Sequence, residues 1–130
     1  MAFSALDSQL TGPLFVPPAM ASIFSDEAKL AAMLRAEWAL AEAQQRHGLI
    51  PPGLAQALSG IAVTQFDLQA LGTATALSGV PTIPFVTALR ALVPQSCEAY
   101  LHKGATTQDI LDTAMMAVSY THLTLPTIYS

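Results

Sequence analysis

An all-α fold is predicted by three observations. Apolar residues recur at three- and four-residue spacing through most of the chain. Ser, Asp and Thr stand where helices should begin, with Gly or Pro where they should stop. No segment alternates apolar and polar residues as a half-buried strand does, and no internal repeat is present.

The elements follow in order. Residues 1–21 are rich in Ser, Pro and Gly and read as an extended amino-terminal arm. Residues 22–117 form one helical domain. Its first helix spans about Asp26 to His47, with Ser25 as the cap, Asp26 and Glu27 in the first turn and Gly48 as the stop. Leu30, Leu34, Trp38 and Ala41 make its apolar face, widened by Met33 and Leu40. Pro51 and Pro52 start a short helix to about Leu58, and Thr64 or Asp67 opens another that ends near Gly79. Pro84 suits the first turn of a helix to about Val93. Pro94 begins a short one to Tyr100, and a last helix starts at Thr107. From Val118 onward the text loses helical periodicity and holds two of the three tyrosines. Val118 to Thr127 resembles the read-through of a sequencing adaptor. Residues 118–130 are therefore expected to be a non-native tail that interrupts the last helix, so Tyr120 and His122 are kept out of any site.

Composition narrows the function classes. In 130 residues, five Lys+Arg and a net charge of −4 leave no electrostatic footprint for nucleic acid. The mean hydropathy of +0.46 is high, yet no run approaches the roughly 18 apolar residues of a membrane helix. The hydrophobicity is spread over Ala-rich helices, which suggests packing on several sides, as in a large bundle or an oligomer. Cys97 is the single cysteine, which agrees with a reducing compartment, and no signal peptide is visible. The expected location is cytoplasmic.

The chemistry concentrates in His102 to Thr113, His-Lys-Gly-Ala-Thr-Thr-Gln-Asp-Ile-Leu-Asp-Thr. Gly104 gives backbone freedom at a loop-to-helix junction, Thr106 is an N-cap, and Asp109 can reach back to the cap N–H as in a capping box. A helix N-terminus there, with Thr106, Thr107 and Gln108 as side-chain donors, suits a carboxylate or phosphate beside a titratable imidazole. Each residue also has a plain structural reading. His102 could cap a neighbouring helix, Thr106 and Thr107 could only cap their own, and Gln108 could be a surface side chain. Asp109 and Asp112 lie three apart on one helical side, but no third ligand stands at useful spacing, so no metal is expected. Lys103 reads as a solvated loop lysine, Arg35 and Arg90 as surface charges, His47 as a dipole partner, Trp38 as packing and Cys97 as a small buried hydrophobe.

The text "LHKGATTQDILDTAM" resembles the first signature region of the fumarase/aspartase superfamily, roughly H-x-G-A-T-S-x-D-x-x-D-T. "GPLFVPPAMASIFSDEAKLAAMLRAEWALAEAQQRHGLIP" and "SGVPTIPFVTALRALVP" resemble its muconate cycloisomerase branch. The likeness runs from about Thr11 to Ala117. It implies the amino-terminal helical domain of the fumarase/aspartase-like fold, short of a complete central bundle. It also implies an enzyme that closes 3-carboxy-cis,cis-muconate to a carboxymuconolactone in protocatechuate breakdown. No cofactor is implied, and the partners are a small polycarboxylate substrate and other subunits of a homotetramer. By the same likeness His102 is catalytic. Thr106, Thr107 and Gln108 bind substrate, and Gly104, Asp109, Asp112 and Thr113 support the site. Thr107 departs from the usual Ser; it keeps the hydroxyl but restricts χ1. The superfamily's second histidine region and its mobile Ser-containing loop are absent from these 130 residues, so the chain expressed alone is expected to be inactive and poorly soluble or aggregated. The alternatives are adenylosuccinate lyase, whose usual histidine is missing from Ser78 to Val86, a non-catalytic helical interaction module, and an anion-binding regulatory domain.

Overall fold

The computed structural model describes residues 4–124, and these are helical throughout, with no strand among them. The longest helix organises the rest. It is α3, Asp26–Arg46, preceded by α1 (Gly12–Phe15) and α2 (Pro18–Ile23) and followed by α4 (Leu54–Ser59). Next come α5 (Leu68–Ser78), α6 (Thr82–Leu92) and α7 (Thr107–Thr124), with 3-10 turns at Val63–Gln65 and Gln95–Tyr100. α3 packs along α7 and α4, and α6 is wedged between α5 and α7.

The caps are those the sequence specifies. Ser25 Oγ accepts the Ala28 N–H at 3.1 Å, and Asp67 accepts that of Ala70 at 3.0 Å. After α3 the chain turns through Gly48 at φ 67°, and the Leu49 N–H closes on the Gln44 carbonyl at 2.9 Å.

The core is one apolar cluster. α3 contributes Leu30, Met33, Leu34 and Ala41, and α4 contributes Leu54 and Leu58. α6 adds Phe85, Val86 and Leu89, while α7 adds Ile110 and Ala114. Phe66 and Phe85 meet with ring centroids 5.6 Å apart.

Several expectations are corrected. The arm over residues 1–21 is not simply extended, because α1 and α2 lie in it; Pro13 and Pro18 fall in their first turns, where the missing N–H costs nothing. Pro51 and Pro52 precede α4, which starts only after Gly53 turns at φ 121°. Pro84, by contrast, lies where expected, in the first turn of α6 as its third residue, where no N–H is needed. The last helix is not interrupted after Ala117: α7 continues to Thr124, and Val118 is buried four residues beyond Ala114, on the same face. The tail beyond Thr124 lies outside the described residues. On α3 the stripe is centred differently than expected. Glu37 takes the fully buried position at 1 % exposure, and Trp38 flanks it, half-buried.

Candidate functional site

The 3-10 turn ending at Tyr100 delivers buried Leu101 to the core and turns the chain outward at His102. His102 adopts φ 59°, a left-handed conformation uncommon for a residue with a side chain, and Gly104 follows at φ 76°. The expected freedom at Gly104 is thus used. Two residues of α3 hold this loop. Glu37 Oε1 lies 2.5 Å from His102 Nδ1, and the Gln44 amide donates to the Lys103 carbonyl at 2.7 Å.

The start of α7 is locked by its own side chains. Asp109 Oδ2 accepts the Thr106 N–H at 2.7 Å, and Thr106 Oγ1 accepts the Asp109 N–H at 3.3 Å, a reciprocal capping box. Thr82 is fully buried, and its hydroxyl donates to the Thr107 carbonyl at 3.1 Å, pinning α6 to this terminus. Gln108 donates to Asp112 Oδ1 at 2.5 Å, one turn along the helix. One amide N–H is so engaged and the second remains.

The structure therefore gathers His102, Gly104, Thr106, Thr107, Gln108 and Asp109 at one corner, with Asp112 tied in through Gln108. Thr113 is exposed and makes no hydrogen bond with the cluster. Lys103 is exposed, its ammonium 5.6 Å from the Tyr100 ring centroid. Cys97 is free and buried, whereas Arg35, His47 and Arg90 are exposed, as read from the sequence. Among the described residues no three His, Cys, Asp or Glu side chains converge as metal ligands. None of their helices is long and apolar enough to cross a membrane.

Electrostatics separates the two carboxylates near His102. Burial pushes the Glu37 carboxyl above the usual carboxylate range, and the hydrogen bond and charge of His102 offset only part of that. Asp109 is held below its ordinary value, first by the Thr106 N–H and then by the Thr106 hydroxyl. A carboxylate depressed in the folded state stabilises it above the unfolded pKa of 3.8 and loses that contribution as the pH falls through the folded value. Asp109→Asn should therefore lower the urea midpoint at pH 6, and the gap to wild type should close as the pH drops below 3.8. A gap independent of pH would deny Asp109 its capping charge.

Three residues of this corner escaped the sequence reading: Glu37, Gln44 and Thr82. For Glu37 a signal existed, since it falls on the 30–33–34–37–41 stripe where every other member is apolar. Gln44 lies two turns further on, so it shares that side of α3. The corner is also open, not a closed pocket. An apolar groove of about 330 Å³ lies between α3, α5, α6 and α7 and is lined by Leu30, Met33, Leu71, Phe85 and Leu111.

No family model matches the chain. It is 46 % identical over 113 residues to 3-carboxy-cis,cis-muconate cycloisomerase of Acinetobacter baylyi, an alignment covering 82 % of this chain and 25 % of that protein. The crystal structure of 3-carboxy-cis,cis-muconate lactonizing enzyme from Pseudomonas putida superposes with a TM-score of 0.84 at 38 % identity, over 91 % of this chain and 28 % of that one. The chain belongs to the fumarase/aspartase superfamily. Its superfamily relatives extend to other chemistries: nitrosuccinate lyase of Streptomyces davaonensis is 42 % identical over 120 residues, covering 88 % of this chain and 25 % of that enzyme. The chain spans about a quarter of the length of the curated relatives it matches. Its all-α architecture is the superfamily's, as expected.

Proposed function

We propose that this chain supplies one wall of the active site of a cycloisomerase that interconverts 3-carboxy-cis,cis-muconate and a carboxymuconolactone. The observation that carries this reading is the 46 % identity to the Acinetobacter baylyi enzyme over most of the chain. The polar corner at the start of α7 gives that likeness a chemical use.

In the forward direction a carboxylate oxygen of the substrate attacks an alkene carbon and forms the lactone C–O bond. The electron pair of the double bond moves to the carbon next to a second carboxylate, which spreads the charge as an aci-carboxylate. A proton then adds at that carbon. Donors around the second carboxylate stabilise the charge-bearing state more than the ground state. Thr106 and Thr107 hydroxyls and the free N–H of Gln108 are those donors, together with backbone N–H groups of the first turn. His102 handles the proton or binds the substrate beside them. Gly104 shapes the approach, Asp109 fixes the cap and Asp112 aims Gln108, with Thr113 further along the wall. The described residues offer no metal-ligand set, and the proposed reaction needs no cofactor.

The remaining site residues come from chain outside this stretch and from other subunits of a homotetramer in the cytoplasm. Association is supported by the apolar side chains that α7 leaves in the open, Met115 and Met116, at 44 and 64 % exposure. The reading is tested on the intact protein that carries this chain, assayed with 3-carboxymuconate and with adenylosuccinate. Lactone formation is the expected result; conversion of adenylosuccinate alone rejects the assignment.

A further inference from the structure

A buried carboxylate is costly, and Glu37 is 1 % exposed on a helix face otherwise made of Leu30, Met33, Leu34 and Ala41. One of its oxygens meets His102 Nδ1, and the other, Oε2, is buried with no hydrogen-bond partner among the described residues. A half-paired buried carboxylate costs stability that an apolar residue would not; Gln44 Oε1 is likewise buried without a partner among the described residues. Nor is Glu37 needed to attach the loop. Gln44 already grips the Lys103 backbone from the same helix.

What Glu37 alone provides is a partner for one specific nitrogen. The other ring nitrogen, Nε2, has no partner among the described residues, and the imidazole is 17 % exposed. The charged groups around the ring are Glu37 from α3, Lys103 next to it in the loop, and Asp109 from α7, whose carboxylate is committed to Thr106. Of these, only Glu37 touches the ring. A group bonded to one imidazole nitrogen decides which tautomer the other presents.

We propose that Glu37 is a positioning residue: it accepts the Nδ1–H of His102 and leaves Nε2 unprotonated, so that Nε2 takes the proton from the lactone carbon next to the carboxylate in the reverse direction and, as the imidazolium so formed, returns it in the forward direction. The inference rests on the reading of His102 as a substrate-facing residue, but the tautomer can be measured without substrate.

The test uses the intact protein that carries this chain, with ¹⁵N-labelled histidine, and assigns the His102 ring nitrogens by NMR at neutral pH. The wild type should carry its proton on Nδ1. Glu37→Met, which removes the acceptor at similar volume, should move the proton to Nε2 in most molecules. Glu37→Gln, whose carbonyl can still accept, should restore the wild-type pattern. A merely structural Glu37 would leave the tautomer unmoved by Glu37→Met. A wild-type His102 already protonated on Nε2 alone overturns the proposal without any variant, so a failure of Glu37→Met to fold does not remove the test. Titration with the tricarboxylate tricarballylate separates this inference from the site reading. Shifts confined to residues far from 102–108, with the tautomer as proposed, would reject the site and keep the positioning role. Shifts at 102–108 with the wrong tautomer would do the reverse.

Discussion

Phe85→Ala is expected to destabilise the helical unit by about 3–5 kcal/mol, the cost of removing a large buried ring and leaving its space empty. Phe85 is 1 % exposed, lies against Phe66 and borders the 330 Å³ groove between α3, α5, α6 and α7. Truncation there removes the ring that floors this groove and exposes the core behind it. Helix α6 also carries the Thr82 hydrogen bond to the Thr107 carbonyl, so loosening α6 loosens the start of α7. Ile83→Ala on the same helix, at 49 % exposure, should change stability by no more than about 0.5 kcal/mol. Urea midpoints of the two variants decide the matter. Equal values would mean that Phe85 is not the centre of this core.

His102→Ala and Thr107→Val, introduced into the intact enzyme carrying this chain, should each lower turnover of 3-carboxymuconate tenfold or more. A decade corresponds to about 1.4 kcal/mol of lost transition-state stabilisation, a modest demand on one hydrogen bond to a developing charge. The losses should appear in kcat as well as kcat/KM, because the charge on the second carboxylate grows only after the substrate is bound. His47→Ala is the matching control: an exposed histidine at the end of α3, remote in sequence from the corner, it should leave the kinetics unchanged. Unchanged kinetics in His102→Ala and Thr107→Val would confine both residues to holding the loop.

Much of the architecture could be read from local signals. The span of α3 followed from Ser25 and Gly48 and the end of α5 from Gly79, because caps and stops are written in single residues; the start of α5 was open between Thr64 and Asp67, and Asp67 is the cap. The capping box at Thr106 and Asp109 was legible for the same reason. Proline was the weaker guide. It tolerates the whole first turn, so Pro51 and Pro84 marked the neighbourhood of a helix without fixing its first residue. The continuation of α7 past Ala117 was hidden because a single Val118 at the right phase suffices to keep a face buried. At the site, the segment from His102 to Asp112 announced itself by its density of polar groups. Its supports did not. Glu37 and Gln44 lie 65 and 59 residues away in sequence, and only the packing of α3 against the loop brings them close.

The polar break in the α3 stripe sets a trade between robustness and chemistry. An apolar residue of similar volume at position 37 would pack against Leu34 and Ala41 without the penalty of dehydrating a charge, so screening for heat resistance alone should favour it. Such winners would fold as well as their parent or better. They would also lose the group that decides which face of an imidazole ring is ready for protons, and engineers seeking a hardier catalyst should leave that glutamate alone.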